Sequence, residues 1–308
     1  MLRHGAPPLT RRAPRARAAY VTDASPPERR AVNLGIFQGV SVAGAFILGF
    51  PLSAALSAKY GRRAPMYAAS AVGVLNGLLI LAFAPESLPK AQRRARVNWK
   101  EANPLGALKL LFGRTPLLRG SCAAFFLIWL GNACINSIFG NYVNHLFGWG
   151  EQQSAPLLVL VGLMIAIAPA TLVPRLGLRR SVELGALVYA LGLVGTGLST
   201  TPKALVYSVL TASLGCIALP ALIAFIANQA AADERGAVLG GIETLNELCL
   251  ALAHSAYGRT LALFISDKAP LPLPGAPFLM AATFLLGGLG VARHTFGALP
   301  EAAAKFLS

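Results

Sequence analysis

Eight apolar runs of about 20 residues each follow one another along this chain, and few folds accommodate them. They fall at about 34–56, 64–84, 117–143, 155–173, 181–199, 203–227, 237–258 and 275–293. Each is long enough to cross the hydrocarbon core of a bilayer as a helix. Composition agrees with that reading. The 308 residues are 55% hydrophobic and only 13% charged, with a mean hydropathy of +0.60, whereas soluble domains carry about 25% charged residues. The expected fold class is all-α and integral to the membrane, with about eight transmembrane helices.

The net charge of +15 does not point to nucleic acid. The basic residues form no aromatic-interleaved patch and no recognised nucleic-acid module. They gather between apolar runs instead, at Arg3–Arg30, Lys90–Arg119 and Arg175–Arg180. The positive-inside rule produces this pattern and places the Pro85–Pro116 segment and both termini in the cytoplasm. Asn144–Ser154, which has no Lys or Arg, then lies outside. Lys59, Arg62 and Arg63 fall on the outer side as an exception. Trp99–Phe112 is expected to lie as an amphipathic helix on the membrane surface.

The cysteines, Cys122, Cys134, Cys216 and Cys249, each sit in an apolar run and form no CxxC pair. Buried free thiols are expected, with no disulfide and no zinc site. The histidines His4, His145, His254 and His294 are too scattered for a metal box. No nucleophile constellation appears. These absences argue against an enzyme, a metal centre and a cofactor.

An internal repeat organises the chain. Glu28-Arg29-Arg30-Ala31-Val32-Asn33-Leu34-Gly35 and Glu234-Arg235-Gly236-Ala237-Val238-Leu239-Gly240-Gly241 share the pattern E-R-x-A-V-x-x-G. Each precedes an apolar helix and is followed by two predicted helices. A repeat in one orientation implies two halves related by an axis along the membrane normal. Four predicted helices precede the second copy after the linker, and none precedes the first, so four helices are expected to be absent from the N-terminal half. The resulting organisation is a basic, disordered stretch at 1–18, a two-helix remnant at 19–84, a linker at 85–116, a six-helix half at 117–293 and a tail at 294–308. Small-xxx-small spacings at Gly35/Gly39, Gly73/Gly77 and Gly236/Gly240 allow close helix packing.

These residues resemble the major facilitator superfamily, in particular the tetracycline-efflux-like branch with the hippocampus-abundant-transcript-like proteins. The matching strings are Ala19-Tyr20-Val21-Thr22-Asp23 with Glu28-Arg29, Pro85-Glu86-Ser87-Leu88-Pro89, Trp99 with Asn103-Pro104, Leu219-Pro220-Ala221, and Asp233-Glu234-Arg235-Gly236. The resemblance covers about residues 19–293. It implies a bundle with the last two helices of the N-terminal half and a complete six-helix C-terminal half, working by alternating access around a midplane site. The family's Gly-Asp-Arg-Gly-Arg loop is absent, and Arg175-Leu176-Gly177-Leu178-Arg179-Arg180 is a faint counterpart of it.

Polar groups at bilayer depth are expensive and usually face a bundle interior or a watery path. Glu243 and Glu247 lie a helical turn apart, with Asn246 between them, in the run from Ala237 to Ala256. Glu247 falls about 15 Å into that helix, near the midplane. A carboxylate withdrawn from water favours its neutral form, which suits reversible proton binding. Glu247 is therefore expected to bind a proton or a cationic group, or else to serve as a structural carboxylate. Asn132 and Asn136 share a face for substrate hydrogen bonding or for interhelical bonding. Gln38, Asn76 and His254 are further polar candidates. Arg175, Arg179 and Arg180, with Glu234 and Arg235, hold topology or gate.

The leading reading is secondary active transport of a small organic solute, driven by protons, with the lipid bilayer as surroundings and no nucleic-acid partner. The resemblance adds an antiport sense. A non-transporting membrane protein is the alternative.

Overall fold

The computed structural model describes residues 44–83, 111–113, 115–229, 235–267 and 269–297. The basic N-terminus, the first repeat copy, Gln38, most of the 85–116 linker, Glu234 and the C-terminal tail lie outside them. The described secondary structure is helical. A bilayer demands this of any non-barrel span, because every backbone group must be satisfied within its own segment.

A π-helical turn, Gly44–Gly49, leads into α1 (Phe50–Tyr60), and α2 follows (Ala64–Phe83). α3 is the long helix Pro116–Phe147. Thr115 caps its start by accepting a hydrogen bond from Leu118 N at 3.1 Å, with Pro116 at the first position, where a missing N–H costs nothing. Gly148 ends it in the left-handed region at φ +64, its N–H donating to Asn144 O. The helical stretch Glu151–Leu198 breaks at Gly177, whose φ of +75 suits glycine. This yields α4 (Glu151–Leu176) and α5 (Leu178–Leu198).

The next apolar run starts at α6 (Pro202–Gly215), capped by Thr201, and continues as α7 (Ala218–Asn228). Pro220 explains the break between them. It has no N–H to offer the Cys216 carbonyl, and its ring excludes that carbonyl. Leu219 N donates to Cys216 O instead, at 3.2 Å, tightening the turn. α8 (Arg235–Phe264) and α9 (Ala276–Gly297) complete the order.

Among the described residues, six stretches are long and apolar enough to cross a membrane: Ala64–Phe83, Pro116–Phe147, Glu151–Leu176, Leu178–Leu198, Pro202–Asn228 and Ala276–Gly297. The sequence predicts eight, and two differ. The run at 34–56 is described only from residue 44. The run at 237–258 is present as α8, and 30 residues reach about 45 Å. Glu243, Glu247 and Arg259 keep it from matching the apolarity of the others.

The described chain divides into two compact units, one holding 44–83 and 149–166, the other 111–148 and 167–297. In the larger unit, glycines set the packing. A Cβ on Gly192 would run into the backbone of Ala212, one on Gly185 into Ala218 N, one on Gly195 into Ser208 Oγ and one on Gly215 into the Tyr189 backbone. Numbers rise along α5 as they fall along α6 and α7, so the pair is antiparallel. Gly120 meets Thr295, Gly288 meets Ile128, and Gly131 meets Ala281 and Leu285, so α3 and α9 are antiparallel too. Gly73 and Gly77, singled out by their spacing, have nothing within 4 Å of a built Cβ.

Polar contacts complete the directions. Cys249 Sγ lies against Phe126 O, and Tyr257 Oη donates to Leu130 O at 2.9 Å. Tyr189 Oη donates to Asn132 Oδ1, and Tyr142 Oη to Thr196 O. Hence α3, α5 and α8 run one way, α6, α7 and α9 the other. One end of this bundle carries exposed Arg119, Arg175, Arg179, Arg180, Arg293 and His294. The other end carries Lys203 and Asp267.

Candidate functional site

α8 has two faces. Val238, Ile242, Leu245, Cys249, Ala253, Tyr257 and Leu261 recur every three or four residues, and all are buried. That stripe packs on α3, α7 and α9. Glu243, Glu247, His254 and Arg259 fall outside it and are exposed. Glu247 is thus not buried within its unit, contrary to its apolar sequence surroundings. The carboxylates share that outer face with exposed Leu248 and Leu252.

Asn246 lies at the margin of the two faces. Its Nδ2 donates to Glu243 Oε2 at 3.4 Å. Its Oδ1 is buried without a partner among the described residues, a condition that costs about 1–3 kcal/mol. His254 Nδ1 lies 2.7 Å from Leu250 O. A carbonyl only accepts, so Nδ1 is the donor in this contact. Glu243, Glu247 and His254 therefore form a hydrophilic strip along one side of α8, interrupted by Leu250, since positions four, seven and eleven residues on return to nearly the same face.

The two asparagines of α3 separate. Asn132 is half-buried and accepts the Tyr189 hydroxyl at 2.6 Å, an interhelical bond from α5. Asn136 is exposed. Asn76 is exposed on α2 in the smaller unit. The side chain of Arg235 lies outside the described residues.

At the basic end, Glu183 receives two arginines. Arg179 Nε is 3.0 Å from Oε1 and Arg293 Nε is 3.7 Å from Oε2. Arg175 and Arg180 are exposed. Sequence spacing shows the Arg179–Glu183 pair, four apart on one helix. It carries no signal for Arg293, which belongs to another helix, nor for Tyr189 as the partner of Asn132.

In the smaller unit, Pro51, Ala54, Ala55 and Ala58 of α1 face Gln152, Ala155, Pro156 and Val159 of α4 across an open recess of about 330 Å³. Ser53 Oγ donates to Glu151 Oε2 at 3.3 Å beside it. None of the candidate residues lines this recess. The four cysteines are free, and Cys122, Cys134 and Cys249 are buried. Among the described residues, no group of His, Cys, Asp and Glu gathers to hold a metal.

Comparison with known proteins places this arrangement. Residues 15–254 match the Major Facilitator Superfamily. The chain is 28% identical over 290 residues to human Hippocampus abundant transcript-like protein 1, covering 87% of this chain and 57% of that protein. It is 26% identical over 303 residues to mouse Hippocampus abundant transcript 1 protein, covering 89% and 61%. It thus spans about three-fifths of the length of the curated relatives it matches. Among solved structures, the human organic anion transporter MFSD10 (TETRAN) superposes with a TM-score of 0.62 at 20% identity, covering 89% of this chain and 66% of that one. A bacterial homologue of the human lysosomal transporter Spinster, inward-facing and unoccupied, gives 0.56 at 13%, covering 90% and 71%. With a family match over most of its length and apolar helices of membrane-spanning size, the chain is an integral, multi-pass membrane protein and belongs to the Major Facilitator Superfamily.

Proposed function

We propose that this chain takes part in proton-coupled secondary transport of a small organic solute, with the hydrophilic strip of α8 as part of the solute pathway. One observation carries the reading. Glu243 and Glu247 stand on the face of α8 that its own bundle leaves uncovered, while the opposite face is fully packed. Facing lipid, each carboxylate costs about 2.5–3.5 kcal/mol. Facing a watery path, the same groups meet little penalty. Asn136 on α3 adds a further polar group, and His254 an exposed imidazole toward one end of the strip. The excess of arginine at the α3 N-terminal end supports a cytoplasmic position for that end. An antiport sense rests on the family resemblance alone.

The test is Glu247→Gln in reconstituted vesicles. This variant keeps the shape and removes the proton site. Uphill, pH-gradient-driven accumulation is expected to vanish, while downhill exchange persists. Glu243→Gln, closer to the basic end, is expected to do less. Unchanged accumulation in Glu247→Gln would move that residue to a structural role and the coupling elsewhere.

A further inference from the structure

The geometry points to a seat for the phosphodiester of an anionic phospholipid between Arg179 and Arg293. Both arginines approach Glu183 through Nε, one at each carboxylate oxygen. Arg179 is hydrogen-bonded to Glu183 and Arg293 makes a longer ion pair with it, so two guanidinium groups stand at one place. The arginine side chains are 44% and 56% exposed, the glutamate 21%, so the forks point outward above a sheltered carboxylate. One carboxylate balances one arginine, and the second charge is left over. Two neighbouring forks with a surplus positive charge match a phosphate, which guanidinium groups grip bidentately.

The surroundings favour a lipid over a free anion. Two turns back along α9 from Arg293, exposed Leu286 lies on the same side of the helix, and exposed Leu184 and Leu191 lie about a quarter turn around α5 from Glu183. Leu286 offers an apolar wall beneath Arg293, with the two α5 leucines to one side, where acyl chains run when a headgroup is held at the helix ends. Arg119, Arg175, Arg180 and His294, all exposed at the same end, extend the attracting field. Glu183 is the one carboxylate among the described residues of these helix ends.

The experiment uses the full chain in phosphatidylcholine nanodiscs with and without phosphatidylglycerol. Retained phosphatidylglycerol is counted by native mass spectrometry after exchange into neutral detergent. Each arginine near a membrane surface contributes about fivefold, so Arg179→Gln with Arg293→Gln is expected to lower retention by about twenty-five-fold. The paired lysine variants keep the charge but lose the forks, and are expected to retain less lipid than the parent. Glu183→Gln removes the competing anion and is expected to raise retention, a gain that a misfolded variant would not produce. Arg119→Gln with Arg175→Gln is the control for the general field and should have the smaller effect. Parental retention in the Arg179/Arg293 glutamine pair, or full retention with lysines, overturns the seat. Displacement of the lipid by excess inorganic phosphate with the same arginine dependence would reassign it to a free anion.

Discussion

α4 and α5 are consecutive helices of one apolar stretch, and they differ in a way that reverses the usual intuition about cores. α4 is the more apolar of the two, yet only 22% of its span is buried, against 56% for α5. In water, the more apolar helix would be the more enclosed. In lipid, apolar surface gains little by leaving the tails, and association depends on how closely backbones approach. α5 supplies that closeness with Gly185, Gly192 and Gly195, each pressed on α6 or α7. α4 shows exposed Leu160, Leu163 and Ile167 instead.

Breaking this contrast should be easiest at Gly192. A leucine there has no room beside the Ala212 backbone, so Gly192→Leu is expected to cost at least about 3 kcal/mol. Steric-trapping or detergent unfolding would measure it. A cost below about 1 kcal/mol would mean that α5 and α6 slide apart freely. A smaller effect is expected from Tyr189→Phe, which leaves Asn132 Oδ1 without the tyrosine hydroxyl. Interhelical hydrogen bonds in membranes are worth about 0.6–1.7 kcal/mol, and the same unfolding assay should return a value in that range. The smallest effects should come from the exposed positions. Leu160→Ala on α4 and Gly73→Ala on α2, where a Cβ meets open space, are each expected to stay within about 0.5 kcal/mol. A large loss at Leu160 would show that α4 is covered by protein in the working assembly.

The same physics explains how much was legible in the sequence. The apolar runs announced the spans because the bilayer fixes their length, and most of them appear where the runs lie. The glycines that pack were not announced. Gly73 and Gly77 have the favoured spacing and touch nothing, while Gly192 and Gly215 are identified only by what lies opposite. Pro220 sat in plain view, yet its break between α6 and α7 emerges only when the Cys216 carbonyl is traced to Leu219 N. For the candidate site, the four-residue spacing of Glu243 and Glu247 correctly put them on one face. Which face was hidden, because apolar neighbours on a membrane helix do not imply burial in protein. Asn132 and Asn136 share that spacing and still separate, since Tyr189 reaches one of them from a helix more than 50 residues away in sequence.

Gly177 has a consequence for biosynthesis. Without its corner, the 48 residues from Glu151 to Leu198 would make a rod about 72 Å long, more than twice the hydrocarbon thickness of about 30 Å. The corner divides that rod into two segments, Glu151–Leu176 and Leu178–Leu198, each of a length that can cross a bilayer. Whether the number of crossings before α6 is odd or even then turns on one backbone angle.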